Sequence, residues 1–403
     1  MGVPRRTRPS PRLLLPFVAV AALAPFASGR AAAQPSAEDK LSHRWHLLKD
    51  SEPPKRPPYT EGVAVYDGFR RRVLIHEGDP DSVFGLSVDD YLWRRLRPVN
   101  EGPTSRGSHA AIFDPTRRNL VVFGGTGGFE GRLNDVWALD TRRRVWSRLD
   151  DPTETDRPAT RSNASAVYDP HRDRMLVFGG ISGVGFARTV SDLWEFDLGR
   201  RRWRRIPPGG GTVPKSRLGH GAIFDVKRDR MLVWSGQFAE SLGVQNLRDL
   251  WQFDCVSETW SEIPLAGADV PPVSLDGSFL TDGQHRGFAF GGWSGTQPPI
   301  YNRDVFVIDL QTDVWRKLPD LNGTGVEQPG GGGPGRPRPE FKTLPPIAHH
   351  VAAFVPGNRR APDQRDRPGR IVLFGGDIQR ADGTLEFRND TWIYRRPTLL
   401  HHF

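Results

Sequence analysis

The chain has 403 residues, a length that fits two or three ordinary domains or one long repeat array. Apolar residues at 37%, with 12 Trp and 22 Phe, exclude disorder for the bulk of it despite 26% charged residues. The formal charge of +9 falls to +4 when residues 1–33, with five arginines and no acids, are set aside, so no nucleic-acid partner is expected.

At the N-terminus Arg5, Arg6, Arg8 and Arg12 precede an apolar stretch from Leu13 to Phe26 and the small run Ala31-Ala32-Ala33. That order predicts a signal peptide over residues 1–33, a linker over 34–42, and export to the periplasm or the extracellular space. Pro16 and Pro25 interrupt a stretch already short for a bilayer, so no stable membrane anchor is expected. Arg5-Arg6 followed by Thr7-Arg8-Pro9 leaves the export route open. Cys255 is the sole cysteine, so an internal disulfide is impossible and stability must come from packing.

From residue 43 to about 396 one pattern recurs. An apolar strand and a turn lead to a second apolar strand ending in glycines; after a polar loop come Asp, an aromatic, and a second aromatic nine positions on. The second strands read Leu120-Val121-Val122-Phe123-Gly124-Gly125, Met175-Leu176-Val177-Phe178-Gly179-Gly180, Met231-Leu232-Val233-Trp234-Ser235-Gly236, Phe288-Ala289-Phe290-Gly291-Gly292 and Ile371-Val372-Leu373-Phe374-Gly375-Gly376. Aromatic pairs follow at Trp137 and Trp146, Trp194 and Trp203, Trp251 and Trp260, and Phe306 and Trp315, with a weaker first copy around Val73 to Gly78, Phe84 and Trp93. Asp114-Pro115 and Asp169-Pro170 mark tight turns between first and second strands.

These residues resemble the Kelch family, whose repeat of about 50 residues builds one four-stranded blade of a β-propeller. The resemblance implies an all-β, six-bladed Kelch-type propeller over residues 43–396. Its blades are covered on both faces, which suits apolar runs better than strict alternation. The last copy holds Asn389-Asp390-Thr391-Trp392 but lacks a fourth strand, whereas His43-Arg44-Trp45-His46-Leu47-Leu48 matches the fourth-strand pattern of Trp146-Ser147-Arg148-Leu149. The N-terminal strand, residues 43–49, is therefore expected to complete the sixth blade and remove an open sheet edge. Residues 322–340, with Gly330 to Gly333 and several prolines, read as a flexible loop, Pro356 to Arg370 as an insertion, and residues 397–403 as a tail.

Chain direction puts the loops after second strands on one face with the connections between blades. The Kelch resemblance implies that ligands meet this loop face near the central channel. Its candidate residues are Phe129, Glu130, Arg132, Phe186, Arg188, Phe238, Glu240, Arg248, Trp293, Tyr301, Arg303, Glu386, Phe387 and Arg388. Arginines interleaved with aromatics suit carboxylates and sugar rings, giving a tentative ligand-binding set of Arg132, Arg188, Arg248, Arg303, Arg388, Trp293, Tyr301 and Phe387. Against this stands a coding bias toward arginine, since only seven of 56 basic residues are Lys.

His109, His220 and His350 stand at equivalent places in alternate blades, yet no metal spacing supports a site, and neither metal nor cofactor is expected. Arginine runs at 70–72, 117–118, 142–144 and 200–202 would give the opposite face a basic rim, fit for an anionic polymer or simply solvated. The expected function is an exported, monomeric, non-catalytic module for a protein or glycan. The alternative is a carbohydrate-active enzyme, since the fold resembles Kelch-type sialic acid mutarotases and galactose oxidase. A copper oxidase would need a Cys-Tyr crosslink, and Cys255 falls on an outer turn.

Overall fold

The computed structural model describes residues 44–48, 62–183, 188–209, 211–240, 243–296, 299–318, 339–341, 344–357, 369–380 and 384–395. The segments expected to be signal peptide, linker and tail lie outside these residues, as do Phe186 and most of 322–340 and 356–370. No helix among the described residues is long and apolar enough to cross a membrane.

Strands of four to ten residues form six four-stranded antiparallel sheets in chain order, the last with an added edge strand. The first contains Val63–Asp67, Arg72–His76, Val83–Ser87 and Trp93–Leu96, and the next four repeat that order between Ala110 and Lys317. The second strands Arg174–Phe178, Arg230–Trp234 and Arg370–Phe374 are buried along their whole length, as strands covered on both faces must be. The first strands of the six sheets contact one another in cyclic order, including Val351–Val355 against Val63–Asp67, and so surround a central axis.

Each seam between blades is filled by one repeated contact. The fifth residue of a second strand meets the fourth-strand tryptophan of the next blade: His76 with Trp146, Phe123 with Trp203, Phe178 with Trp260, Trp234 with Trp315, Phe290 with Trp45, and Phe374 with Trp93. Ring centroids lie 4.9–5.6 Å apart, inside the range where tilted aromatic pairs attract.

Trp45 takes its place because Arg44–Leu48 pairs antiparallel with Thr391–Arg395, Trp45 opposite Tyr394 and Leu47 opposite Trp392. The N-terminal strand thus joins the C-terminal sheet. One boundary needs correction: Pro339–Phe341 is a further strand, pairing with residues 46–48, so the expected loop of 322–340 ends in an edge strand. An outer sheet edge left open there would offer unpaired backbone groups, which this pairing covers.

The glycine pairs make room as well as turns. Gly179 and Gly291 have φ of +66° and +65°, and a Cβ on either would strike the His220 or His350 ring at 2.9 or 2.3 Å. Each of these histidines reaches back into the preceding blade, to Ser165 and to Ser278, while His109 reaches His76 with ring nitrogens 2.9 Å apart. Burial, helped by Arg106, Arg217 and His349, lowers His76, His220 and His350 to about 3, and His109 also falls well below its usual value. These rings are neutral packing groups in three separate seams.

On the face opposite the loops, Arg117 bridges Asp114 and Asp173, Arg172 bridges Asp169 and Asp229, and Arg230 bridges Asp225 and Asp313. Of the expected basic rim, Arg117 is thus drawn into inter-blade pairing, and Arg118 lies over the Phe69 ring of the neighbouring blade at 4.2 Å. Cys255 is buried there, its thiol pushed up to about 12 by burial. Its ligand atom lies within 4.8 Å of those of Asp169 and Asp229, but both carboxylates are committed to guanidinium groups.

Candidate functional site: the channel mouth on the loop face

Polar residues that recur in every full repeat serve the fold. Arg106, Arg161 and Arg217 are buried and grip Asp135, Asp192 and Asp249 in bidentate pairs of 2.6–3.0 Å. The same guanidinium groups hold the carbonyls of Gly124, Gly179 and Ser235, and each aspartate also accepts the indole N–H of Trp137, Trp194 or Trp251. Burial alone would raise these carboxyls, but the arginines outweigh it and hold them low. Asp-apolar-Trp is thus half of an Arg–Asp–Trp lock that ties the loop face of three blades.

Blades five and six lack the lock, because Ser274 and Ile347 stand where the arginines would be. A different polar group forms there. Two residues before the first strands of blades two to six, Ser108, Asn163, Gly219, Asp276 and His349 all adopt left-handed backbone with φ of 51–61°. Backbone bonds link Asn163 to Ser108, Asp276 to Gly219 and His349 to Asp276, so these residues rim the channel where the innermost strands begin. The rim is uneven. Blades two and three present a hydroxyl and an amide, blade four no side chain, and blades five and six an acid and an imidazole.

His349 donates from Nδ1 to Asp377 at 2.6 Å and holds Nε2 3.5 Å from Asp276. Asp377, only 2% exposed, also accepts the Tyr301 hydroxyl at 2.7 Å. Burial works against a charged imidazole, yet the hydrogen bonds and charges of Asp276 and Asp377 raise it to about 10. His349 is therefore an imidazolium at neutral pH. Burial and the Asp377 bond raise the Tyr301 phenol, which stays protonated.

A family model, the KLHDC2/KLHL20/DRC7 Kelch-repeats domain, matches residues 64–211 and 187–332. The chain belongs to this Kelch-repeat family. It is similar to Adagio-like protein 1 of Oryza sativa subsp. japonica, 29% identical over 299 residues that cover 72% of this chain and 42% of that protein. It is also similar to the host cell factor homolog hcf-1 of Caenorhabditis elegans, 31% identical over 209 residues that cover 46% and 26% of the two chains. This Kelch chain spans less than half the length of either relative. The solved structure of YjhT aligns with 83% of it and 99% of that chain at a TM-score of 0.52; with 16% identity the likeness shows the fold alone.

The loop arginines of this Kelch chain do not converge as a ring. Arg132 bonds Ser162 and the Gly183 carbonyl, Arg248 the carbonyls of Pro271 and Val270, and Arg388 the carboxylates of Glu386 and Asp390. Arg188 and Arg303 are exposed and have no partner among the described residues. Tyr301 alone of the expected set enters the mouth cluster. Bridged antiparallel to it stands Trp293, which therefore shares its face; its indole nitrogen is buried with no partner among the described residues. Phe387 is 61% exposed, opposite Asp377 in a short hairpin.

Asp276, His349 and Asp377 escaped the sequence reading. Their only signal was positional: Asp276 and His349 stand two places before a first strand, where other blades carry Ser, Asn or Gly.

Proposed function

We propose that this chain works as a closed six-bladed propeller, exported to the periplasm or beyond, that binds a protein or glycan through its loop face without catalysing a reaction on it. The observation that carries this reading is the contrast on that face between locked repeat residues and free ones. Val244 and Ile300 are exposed on the second loops of blades four and five, and Arg188 and Arg303 are exposed without a side-chain partner among the described residues, so these loops hold side chains that the fold does not use. Export rests on the Arg5 to Ala33 pattern alone.

Glycan and protein arrays probed with the chain lacking residues 1–33 test this reading. A specific ligand whose capture weakens in Arg303→Ala and Ile300→Ala supports it, and capture unchanged by both substitutions rejects it.

A carbohydrate-active enzyme is the second reading, favoured by His349, whose Nδ1 is held by a buried carboxylate while Nε2 faces a second acid. A general acid works best with a pKa near the working pH, and a ring raised to about 10 is far from that. The glutamates do not supply the missing group: Glu386 is paired with Arg380 and Arg388, and Glu240 is exposed on its hairpin. Turnover of free sugars that is lost in His349→Gln would favour the enzyme over the binding module.

A further inference from the structure

We propose that a band of arginines across blades one to three, on the face opposite the loops, binds a linear acidic polysaccharide through its repeated carboxylates. This surface goes beyond the loop-face reading and does not depend on it.

Continuity comes first. Arg118 lies over the Phe69 ring of blade one, and its carbonyl accepts the Thr141 N–H and hydroxyl at the head of the 142–144 run. Arg117 reaches Asp173 of blade three, and a Cβ on Gly199 would stand 3.5 Å from its guanidinium, which brings Arg200 and Arg201 alongside. The runs therefore join into one surface.

The fold does not need these side chains. In the turn between third and fourth strands, Asp140, Asp197, Asp254 and Asp309 each accept two backbone N–H groups. Blades four and five thus make the same turn with Val256-Ser257-Glu258 and Gln311-Thr312-Asp313, without a cation. Arg144 and Arg201 hold left-handed backbone, with φ of 62° and 59°, at the place that Asp313 fills in blade five. Asn, Asp and Gly tolerate that conformation better than Arg does. Yet Arg142, Arg144 and Arg201 are exposed with no side-chain partner among the described residues.

The acids around the band leave it positive. Within the turn of blade two one carboxylate, Asp140, stands against three guanidinium groups. Asp197 meets Arg200 at 2.8 Å, and Arg202, beside Glu154 and Asp151, ends the band. Asp89 is held by Arg71, and Asp173 by Arg117. The segment whose Val99 N–H meets the Arg144 carbonyl carries both Arg97 and Glu101 and adds no net charge.

The layout selects the occupant. A planar guanidinium grips a carboxylate through two hydrogen bonds, and cations spread over three blades match anions repeated along one chain. Phe69, 52% exposed, adds a ring on which a sugar can lie. A membrane would instead meet the whole face, where blades four and five set no cation at the matching turns.

The test is calorimetric titration of the full chain with polygalacturonate, its methyl ester and phosphatidylglycerol vesicles. Polygalacturonate should bind, more weakly as salt rises, and the ester should not. Combining Arg144→Asn with Arg201→Asn should weaken binding roughly tenfold. The melting temperature of that variant should equal or exceed the parent's, since Asn accepts left-handed backbone. Arg188→Asn with Arg303→Asn removes the same charge from the loop face and should leave polygalacturonate binding unchanged. The assignment is overturned if polygalacturonate does not bind, if the ester binds equally, or if the first double variant binds as the parent does or melts lower. Equal losses in the two double variants would also overturn it, and binding of vesicles in place of polygalacturonate would replace the polysaccharide with a membrane surface. Polygalacturonate binding intact while loop-face substitutions leave array capture unchanged would reject the loop-face reading alone.

Discussion

Blades two to four and blades five to six use the same loop-face positions in opposite ways. In the first group an arginine before the first strand closes on the aspartate two residues ahead of the third-strand tryptophan, and the pair disappears into the fold. In the second group the arginine is missing, and Tyr301, Asp377, His349 and Asp276 converge at the channel instead. Where the repeat is complete its polar groups hold strands together, and where it lapses they gather at the channel mouth instead.

The largest effect should come from the closing strand. Deleting residues 34–50 removes Trp45 and the partner of Thr391–Arg395, and should abolish cooperative unfolding by calorimetry. The milder Trp45→Ala should cost about 3–5 kcal/mol in denaturant melts, as for other buried aromatics. Arg161→Ala should be comparable, about 3–5 kcal/mol, because it leaves Asp192 ionised beside a buried seam. Arg248→Ala, whose guanidinium meets only carbonyls at the exposed rim, should stay within about 0.5 kcal/mol.

Acid should sharpen the same contrast. The unfolded chain protonates its histidines near 6.5, whereas His76, His220 and His350 do so only near 3 when folded. Between those values the unfolded state binds more protons, so the contribution of these three rings should be flat above pH 6.5 and fall as pH drops toward 3. His349 acts oppositely: its contribution is full below 6.5 and fades as pH rises through about 10, reduced because the side chain is 44% exposed. Urea midpoints measured across pH should lose part of the acid-side slope in His220→Gln and part of the alkaline-side slope in His349→Gln.

The Trp and Gly-Gly spacings made the sheets legible in the sequence because inter-blade packing repeats at fixed intervals along the chain. Trp45 was legible for the same reason: its seam asks for the residue that every other seam has. The Arg–Asp lock was not, since its partners stand 29–32 positions apart and read separately as a strand start and a strand signature.

The mouth cluster was less legible still. Asp276 and Asp377 lie about a hundred positions apart and meet only because first strands surround an axis. The arginines of the second loops looked equivalent in sequence but occupy different places relative to the third strand. Arg132 aligns with Thr189, Asn246, Tyr301 and Phe387, whereas Arg248 and Arg303 fall two places later.

Melting Asp192→Asn and Asp276→Asn side by side tests most directly whether polar groups serve the fold in one half and the channel mouth in the other. Asp192→Asn should destabilise by about 3–5 kcal/mol because the Arg161 side chain is fully buried, and Asp276→Asn by no more than about 0.5 kcal/mol. Equal losses in the two variants would contradict that division.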